Sequence, residues 1–357
     1  MMTVRSKGEI EFNTDINNQL RCFIQNKNFL FRNHNYKSVI DSINAIEFAF
    51  NNTRPEKIVK NFFKVNSKLT INDINNNSKI IDIDDKRSFF VISVGKASVK
   101  MLKAIFEIFP KKKIKHSILI MPRGQTLDIE FFNNRFLEKE KVTIIKSSHP
   151  IPDNNSLFAS KRVIQLIKTA ERHTVIIFLI SGGTSSLMVY PLNNLTLNDK
   201  KKINNLLLKS GADIREINTV RKHLSKIKGG NILKYINNEC CVISLILSDV
   251  VGDPLDTIGS GLTYFDESTF LNAKFILQKY FLLNLDNESA KRVKDTLNLG
   301  IISELPETLK FEDFVQKDIN NFIIGNNFVF CNLLLQFLKK CNYNVVYLGS
   351  QYDGQLL

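Results

Sequence analysis

Apolar positions along the chain follow two periods, and the alternation between them predicts an α/β fold. At Val175–Ile180 (VIIFLI) six apolar residues stand in a row, four of them β-branched, the pattern of a strand buried on both faces. Phe89–Val94, Ser117–Met121, Val142–Lys146 and Val242–Leu247 read as further strands. Between them helical spacing marks Val99–Phe109, Ser156–Arg172, Thr196–Ser210 and Ile214–Lys228, with Gly211 and Gly229-Gly230 predicted as left-handed caps closing the last two. Upstream, Tyr36–Asn51 is amphipathic and Pro55 opens a second helix. The Asn- and Asp-rich stretch 66–86 reads as a loop. Strands separated by helices imply parallel pairing and a doubly wound, mostly parallel Rossmann-like sheet with helices on both faces.

After Thr263 the rhythm changes. Ser268–Tyr280 and Ser289–Leu297 read as helices, and 301–317 as an acidic, Pro-containing connection. Asn321–Gly325, Asn327–Lys340 and Asn344–Leu348 then form a β-α-β pattern, the start of a second α/β domain. The predicted division is a flexible N-terminus at 1–18, a Rossmann-like domain at 19–265, and connecting helices with an incomplete second domain at 266–357.

Composition narrows the class. Of 357 residues 43% are hydrophobic and 24% charged, as in ordinary globular enzymes. No apolar run approaches the roughly 20 residues of a membrane span, and the start, MMTVRSKGEIEFNTD, lacks a signal-peptide core, so a cytoplasmic location is expected. Five cysteines without a CxxC pair predict reduced thiols, and five histidines without an HExxH spacing give no support to a structural zinc. The net charge of +14 invites nucleic acid, but the lysines are scattered apart from the run at Lys111–Lys115. A basic balance equally suits small anionic substrates, and no nucleic-acid or membrane partner is expected.

Chemistry concentrates in the loops after the strands, where open α/β sheets bind ligands. Ser181-Gly182-Gly183-Thr184-Ser185-Ser186 offers close backbone approach at the glycines and four hydroxyls, an anion cradle. Lys96, directly after a strand, is placed to reach a phosphate or carboxylate. It is not a Walker lysine, because Phe90 stands where that motif needs its first glycine, and no GxGxxG supports a nicotinamide site. In Ser148-His149-Pro150-Ile151-Pro152-Asp153 two prolines hold His149 and Asp153, and Asp153 is the expected cap of the next helix. Arg221, Lys222 and Lys226, near one helix face, form a predicted anion clamp. Asp249 and Asp253, just past a strand, suit Mg²⁺ or removal of a hydroxyl proton.

In order, GKA at 95–97, SSHPIPD at 147–153, LISGGTSSLMVYP at 179–191, LLKSGADIREINTVRKHLSKIKGG at 207–230 and LILSDVVGDPLDTIGSGLTYFD at 245–266 closely resemble the glycerate 2-kinase family, the class II glycerate kinases with a C-terminal MOFRL domain. The resemblance extends over roughly 36–354 and includes IIGNN at 323–327, which brings Asn326 among the candidate binding residues. It implies transfer of the ATP γ-phosphoryl to the 2-hydroxyl of D-glycerate with Mg²⁺, in a cleft between two domains. On the matching positions, Lys96, Arg221 and Asp249 carry catalysis, with Arg221 holding the substrate carboxylate. Ser181, Gly182, Gly183, Thr184, Ser185, His149, Lys226 and Asn326 bind substrate or phosphate, and Asp249 with Asp253 contacts the metal. The implied partners are D-glycerate and ATP, with a homodimer as the candidate assembly. The family continues past the point where this chain reads Tyr352-Asp353-Gly354-Gln355, so a C-terminally truncated chain is expected. The alternatives are a non-catalytic remnant that binds a small anion or nucleotide, and hydroxypyruvate reductase, a name the family also carries.

Overall fold

The computed structural model describes residues 36–349 apart from 85, 111, 128–141 and 284–286, together with 4–5, 9–10, 24 and 30. Most of the predicted N-terminal segment 1–18 thus lies outside the described residues, except for a short antiparallel pairing of Val4–Arg5 with Glu9–Ile10. In chain order the elements begin with α1 (Lys37–Asn52), α2 (Pro55–Phe62), β1 (Phe63–Val65), β2 (Lys68–Asn72), β3 (Ser78–Asp82), β4 (Phe89–Val94) and α3 (Ser98–Ile108). There follow β5 (Ile114–Pro122), β6 (Val142–Ser147), α4 (Asn154–Lys168), β7 (Val175–Ile180), the single turn α5 (Thr184–Leu187), α6 (Leu197–Lys209) and α7 (Ile214–His223). The remainder is β8 (Cys241–Leu247), α8 (Phe270–Lys279), α9 (Glu288–Ile301), α10 (Phe311–Phe314), β9 (Ile319–Gly325) and α11 (Asn327–Lys340).

Six strands form one sheet in the order β9-β8-β7-β4-β5-β6, and every pairing in it is parallel. Counting outward from β4, the sheet runs one way through β5 and β6 and the other way through β7, β8 and β9, so its direction of growth reverses between β4 and β7. The strands read as continuous apolar runs because both faces are covered. In β7, Val175, Ile177 and Leu179 join the core against α2 and α3, whereas Ile176, Phe178 and Ile180 join the core against α4. A third apolar cluster packs α6, α7, α8 and α9 together through Leu207, Val220, Phe270, Leu277 and Val293. Among the described residues no helix is long and apolar enough to cross a membrane.

Four expectations need correction. The strand predicted at Asn321–Gly325 to open a second domain is β9, the edge strand of the main sheet, in register with β8 from Val242↔Ile319 to Leu247↔Gly325. The helical stretch before it breaks the strand rhythm in linear order, but α8 and α9 fold back onto α6 and α7 and leave the sheet free to continue. Residues 344–348 form no strand. The loop predicted at 66–86 holds β2 and β3 of an antiparallel three-stranded sheet, β1-β2-β3. Its Leu69, Ile71 and Ile81 are buried against the main core, an apolar alternation that the surrounding Asn and Asp residues obscure in the sequence. Finally, α7 ends at His223, five residues before the predicted end at Lys228, because residues 225–230 turn to bond the neighbouring loops: Gly229 N–H donates to Ser260 O at 3.0 Å and Gly230 N–H to Gly261 O at 2.7 Å.

The α6–α9 layer is anchored by Asp199, which is fully buried. Its carboxylate accepts from the Thr196 amide and hydroxyl at 2.9 and 2.8 Å, capping α6, and from Arg292 Nε and Nη2 at 3.1 and 2.7 Å. Burial alone would raise this carboxyl, but the bonds from Arg292, Ser289 and Thr196 outweigh it and hold the group far below the usual carboxylate range. Asp199→Ala is therefore expected to cost about 1–2 kcal/mol, chiefly the lost cap, because the Arg292 left behind is partly exposed. A lower urea midpoint at unchanged slope is the expected readout; an unchanged midpoint would refute the anchoring role.

Candidate functional site

The loops after β4 and β7 leave the sheet where its order reverses, the place at which open α/β sheets take ligands. They are pinned to each other by Ser181, whose hydroxyl accepts from Ala97 N–H at 3.1 Å and donates to Val94 O at 3.3 Å. Lys96 N–H donates to Gly182 O at 2.8 Å. The approach is so close that a Cβ on Gly95 would lie 2.6 Å from Ser181 O, and φ at Gly95 is +123°, a conformation that side chains avoid.

Around Gly182-Gly183 three of the predicted side chains meet. A Cβ on Gly182 would stand 2.1 Å from Asp249 Oδ2, and one on Gly183 would stand 2.8 Å from His149 Cδ2, 3.1 Å from His149 Nε2 and 3.6 Å from Lys96 Cγ. Sequence positions as far apart as 96, 149, 182 and 249 thus converge on one glycine pair. The N–H groups of Gly182 and Gly183 have no protein acceptor among the described residues. Burial first, and then the Lys96 charge, lower the affinity of His149 for its proton, with Asp249 opposing, so the imidazole favours its neutral form. The site therefore offers free amides, an exposed ammonium on Lys96, an exposed carboxylate on Asp249 and a ring able to accept a proton.

The other predicted residues divide. Ser181 and Thr184 spend their hydroxyls on the fold, Thr184 donating to Ser181 O at 2.7 Å and Val94 O at 3.3 Å. Ser185 bonds Ser260, Oγ to Oγ 2.8 Å; Ser260 Oγ donates to Asn218 Oδ1 at 3.2 Å, and Asn218 Oδ1 accepts from Arg221 Nη1 at 3.4 Å. That chain of polar contacts links Arg221 to the cradle, and Arg221 Nε is held by Asn204 Oδ1 at 2.5 Å. The predicted clamp partners of Arg221 turn elsewhere. Lys222 is buried in ion pairs with Asp266 at 3.1 Å and Asp256 at 3.4 Å. Lys226 lies beyond the end of α7, where helical spacing no longer holds, and its ammonium sits 4.7 Å from the Tyr190 ring centre and against Asn193. Asn326 caps α11 through Val329 N–H at 3.0 Å and its amide binds Asp253 Oδ2, which ties the Asp253 loop to β9. Asp153 caps α4 as expected, accepting from Ser156 N–H at 2.9 Å.

Sequence reasoning missed the buried charges. His223 has acceptors on both ring nitrogens, Thr219 O at 2.8 Å from Nδ1 and Glu307 Oε2 at 3.1 Å from Nε2. Burial would raise the Glu307 carboxyl, but hydrogen bonds from His223 and the Phe270 amide, with the charges of His223 and Lys310, lower it to about 2. Lys200 is buried with its ammonium on the Arg221 and Leu224 carbonyls at 3.2 and 3.0 Å, at the end of α7. Burial, then the Arg221 charge, bring it down to about 7. Nothing local in the sequence marks these lysines, because what distinguishes them is burial. A separate cavity of about 340 Å³ between β5, β6 and α4 is lined by His116, Thr143, Arg162 and Gln165 and includes none of the candidate residues. Among the described residues no three His, Cys, Asp or Glu cluster as metal ligands.

A family model described as a domain of unknown function, DUF4147, matches residues 42–298. The chain is 34% identical over 274 residues to the glycerate 2-kinase of Pyrococcus horikoshii, an overlap of 77% of this chain and 58% of the relative. To the D-glycerate 2-kinase of Thermotoga maritima it is 34% identical over 264 residues, 74% of this chain and 57% of that one. A crystal structure of a Pyrococcus horikoshii protein superposes with a TM-score of 0.71 at 33% identity, covering 85% of this chain and 63% of that one. The chain thus spans about three fifths of the length of the proteins it matches.

Two outcomes follow from this geometry. Gly182→Ala pushes only against the mobile end of an exposed Asp249 side chain and is expected to cost less than about 1 kcal/mol, whereas Gly95→Ala meets the Ser181 backbone at a strained φ and is expected to cost more than about 2 kcal/mol. Equal unfolding midpoints for the two would refute the close apposition of the loops. For Lys200, the folded value lies below lysine's ordinary 10.5, so the charged form penalises the fold, fully below about pH 7 and progressively less as pH rises toward 10.5. The stability of Lys200→Met relative to wild type should improve as pH falls from about 10 to about 6; a pH-independent difference would contradict the burial of that charge.

Proposed function

Because the chain belongs to the DUF4147 family, we propose that it serves the ATP-dependent phosphorylation of D-glycerate to 2-phosphoglycerate, as the names of its relatives suggest. The observation that carries the reading is the meeting of Lys96, His149 and Asp249 at Gly182-Gly183. Phosphoryl transfer demands little covalent chemistry from a protein; it demands that charge on the phosphoryl oxygens be neutralised and that the two reactants be aligned.

In this reading the free amides of Gly182 and Gly183 and the Lys96 ammonium hold phosphate oxygens, with the Ser185 hydroxyl at the rim. Arg221 receives the glycerate carboxylate, its Nη2 having no acceptor among the described residues. Asp249 or the neutral His149 accepts the proton of the attacking 2-hydroxyl. The donor set also fits Mg²⁺: Asp249 is an exposed carboxylate beside the cradle with no protein donor bound to it among the described residues, and a single carboxylate plus phosphate oxygens and water is the way Mg²⁺ is commonly held. Such an ion would neutralise phosphate charge. Asp253 contributes more remotely, since its carboxylate is engaged by Asn326.

A coupled assay with ATP, Mg²⁺ and D-glycerate tests the proposal. ADP and 2-phosphoglycerate should form together, and Lys96→Met should lower kcat by about 10²–10³-fold with an unchanged melting temperature, because the Lys96 side chain is exposed. Glycerate and ATP binding without ADP release would instead favour an anion-binding role without turnover, and NADH oxidation on hydroxypyruvate would favour the reductase.

A further inference from the structure

Lys228 is the cation that the chemistry above leaves unused. It is 2% exposed, and among the described residues its ammonium has one hydrogen-bond partner, the Gly259 carbonyl at 3.5 Å, the outer limit of a bond. An ammonium carries three donors, and buried polar groups so poorly satisfied are uncommon. Its charged neighbours make the position worse, for Lys200 and Arg221 both repel it. The wall opposite is the turn at Gly259-Ser260-Gly261. Ser260 is fully buried at φ 60°, a left-handed conformation that costs a non-glycine residue energy, and its hydroxyl connects Ser185 of the cradle with Asn218 and so with Arg221. Two cations short of acceptors therefore flank a strained turn whose polar contacts lead directly to the glycine pair.

We propose that Lys228 and Arg221 together receive one small oxyanion, which in the reaction above is the carboxylate of glycerate. The proposal rests on that reading for the identity of the anion, since a phosphate would satisfy the same donors. It has a thermodynamic consequence. Burial, then the Lys200 and Arg221 charges, lower the affinity of the Lys228 amine for its proton, and an arriving anion opposes that shift, so any proton linked to binding is taken up rather than released.

Calorimetry separates the cases. D-glycerate and, separately, inorganic phosphate are titrated into wild type and Lys228→Met in two buffers of different ionisation enthalpy, and the melting temperature of each ligand-free protein is measured. Glycerate should bind wild type, any linked proton being taken up; Lys228→Met should bind at least about tenfold more weakly, with that linkage lost, and should melt at or above the wild-type temperature because a buried, poorly satisfied amine has gone. Unchanged glycerate and phosphate binding in Lys228→Met overturns the proposal. So does a fall in its ligand-free melting temperature alongside the loss of affinity, which would mark Lys228 as a brace for the Gly259 turn. If phosphate alone shows Lys228-dependent binding, the oxyanion site stands and the glycerate reading fails; if wild type binds neither anion, both fail.

Discussion

Two loops that belong to adjacent strands of opposite halves of the sheet touch backbone to backbone, and the Ser181 hydroxyl holds them there. Parallel strands β4 and β7 lie side by side, so their carboxyl ends emerge together, and only residues without a Cβ allow the chains to approach as closely as Gly95 approaches Ser181. With the two loops locked, the amides of Gly182 and Gly183 have no protein acceptor among the described residues. Lys96, His149 and Asp249 converge on that pair.

The arrangement of charge divides into two kinds. Lys222, His223, Asp266 and Glu307 form a compensated network, in which Lys222 pairs with Asp266 and the His223 ring bonds Glu307, and it ties α7 to the 266–310 segment. Lys200, Arg221 and Lys228 form an uncompensated one, joined by mutual repulsion and by carbonyl contacts. Burying like charges costs a fold, and in the function proposed above an anion at this place would offset that cost. The two networks are adjacent along α7, where Arg221 and Lys222, consecutive in sequence, take opposite fates because consecutive helical residues point about 100° apart.

Much of the scaffold was legible in the residues. Continuous apolar runs marked the buried strands, and the polar, glycine-bearing loops after them marked the end of the sheet where ligands bind. Lys96, His149, Gly182, Gly183 and Asp249 were identified from residue type and position alone, and they do meet. Where the structure arranges candidate residues differently from the local pattern, the causes are physical. Helical spacing placed Lys226 beside Arg221, but the helix stops at His223 and the spacing lost its meaning there. Ser181 and Thr184 were read as ligand donors because a hydroxyl in a loop is equally able to face a ligand or a backbone carbonyl, and these two face Val94.

By itself the sequence determined the local elements and the chemistry of the strand-end loops, since both depend on short-range periodicity and on intrinsic residue properties. The tertiary structure decided membership and pairing: that β9 completes the first sheet rather than opening another domain, that Asp253 answers to Asn326, and that Lys200 and Lys228 are buried. Those outcomes are set by contacts between residues far apart in the chain, and burial, which turns an ordinary surface lysine into an unsatisfied cation, has no local signature in the order of the residues.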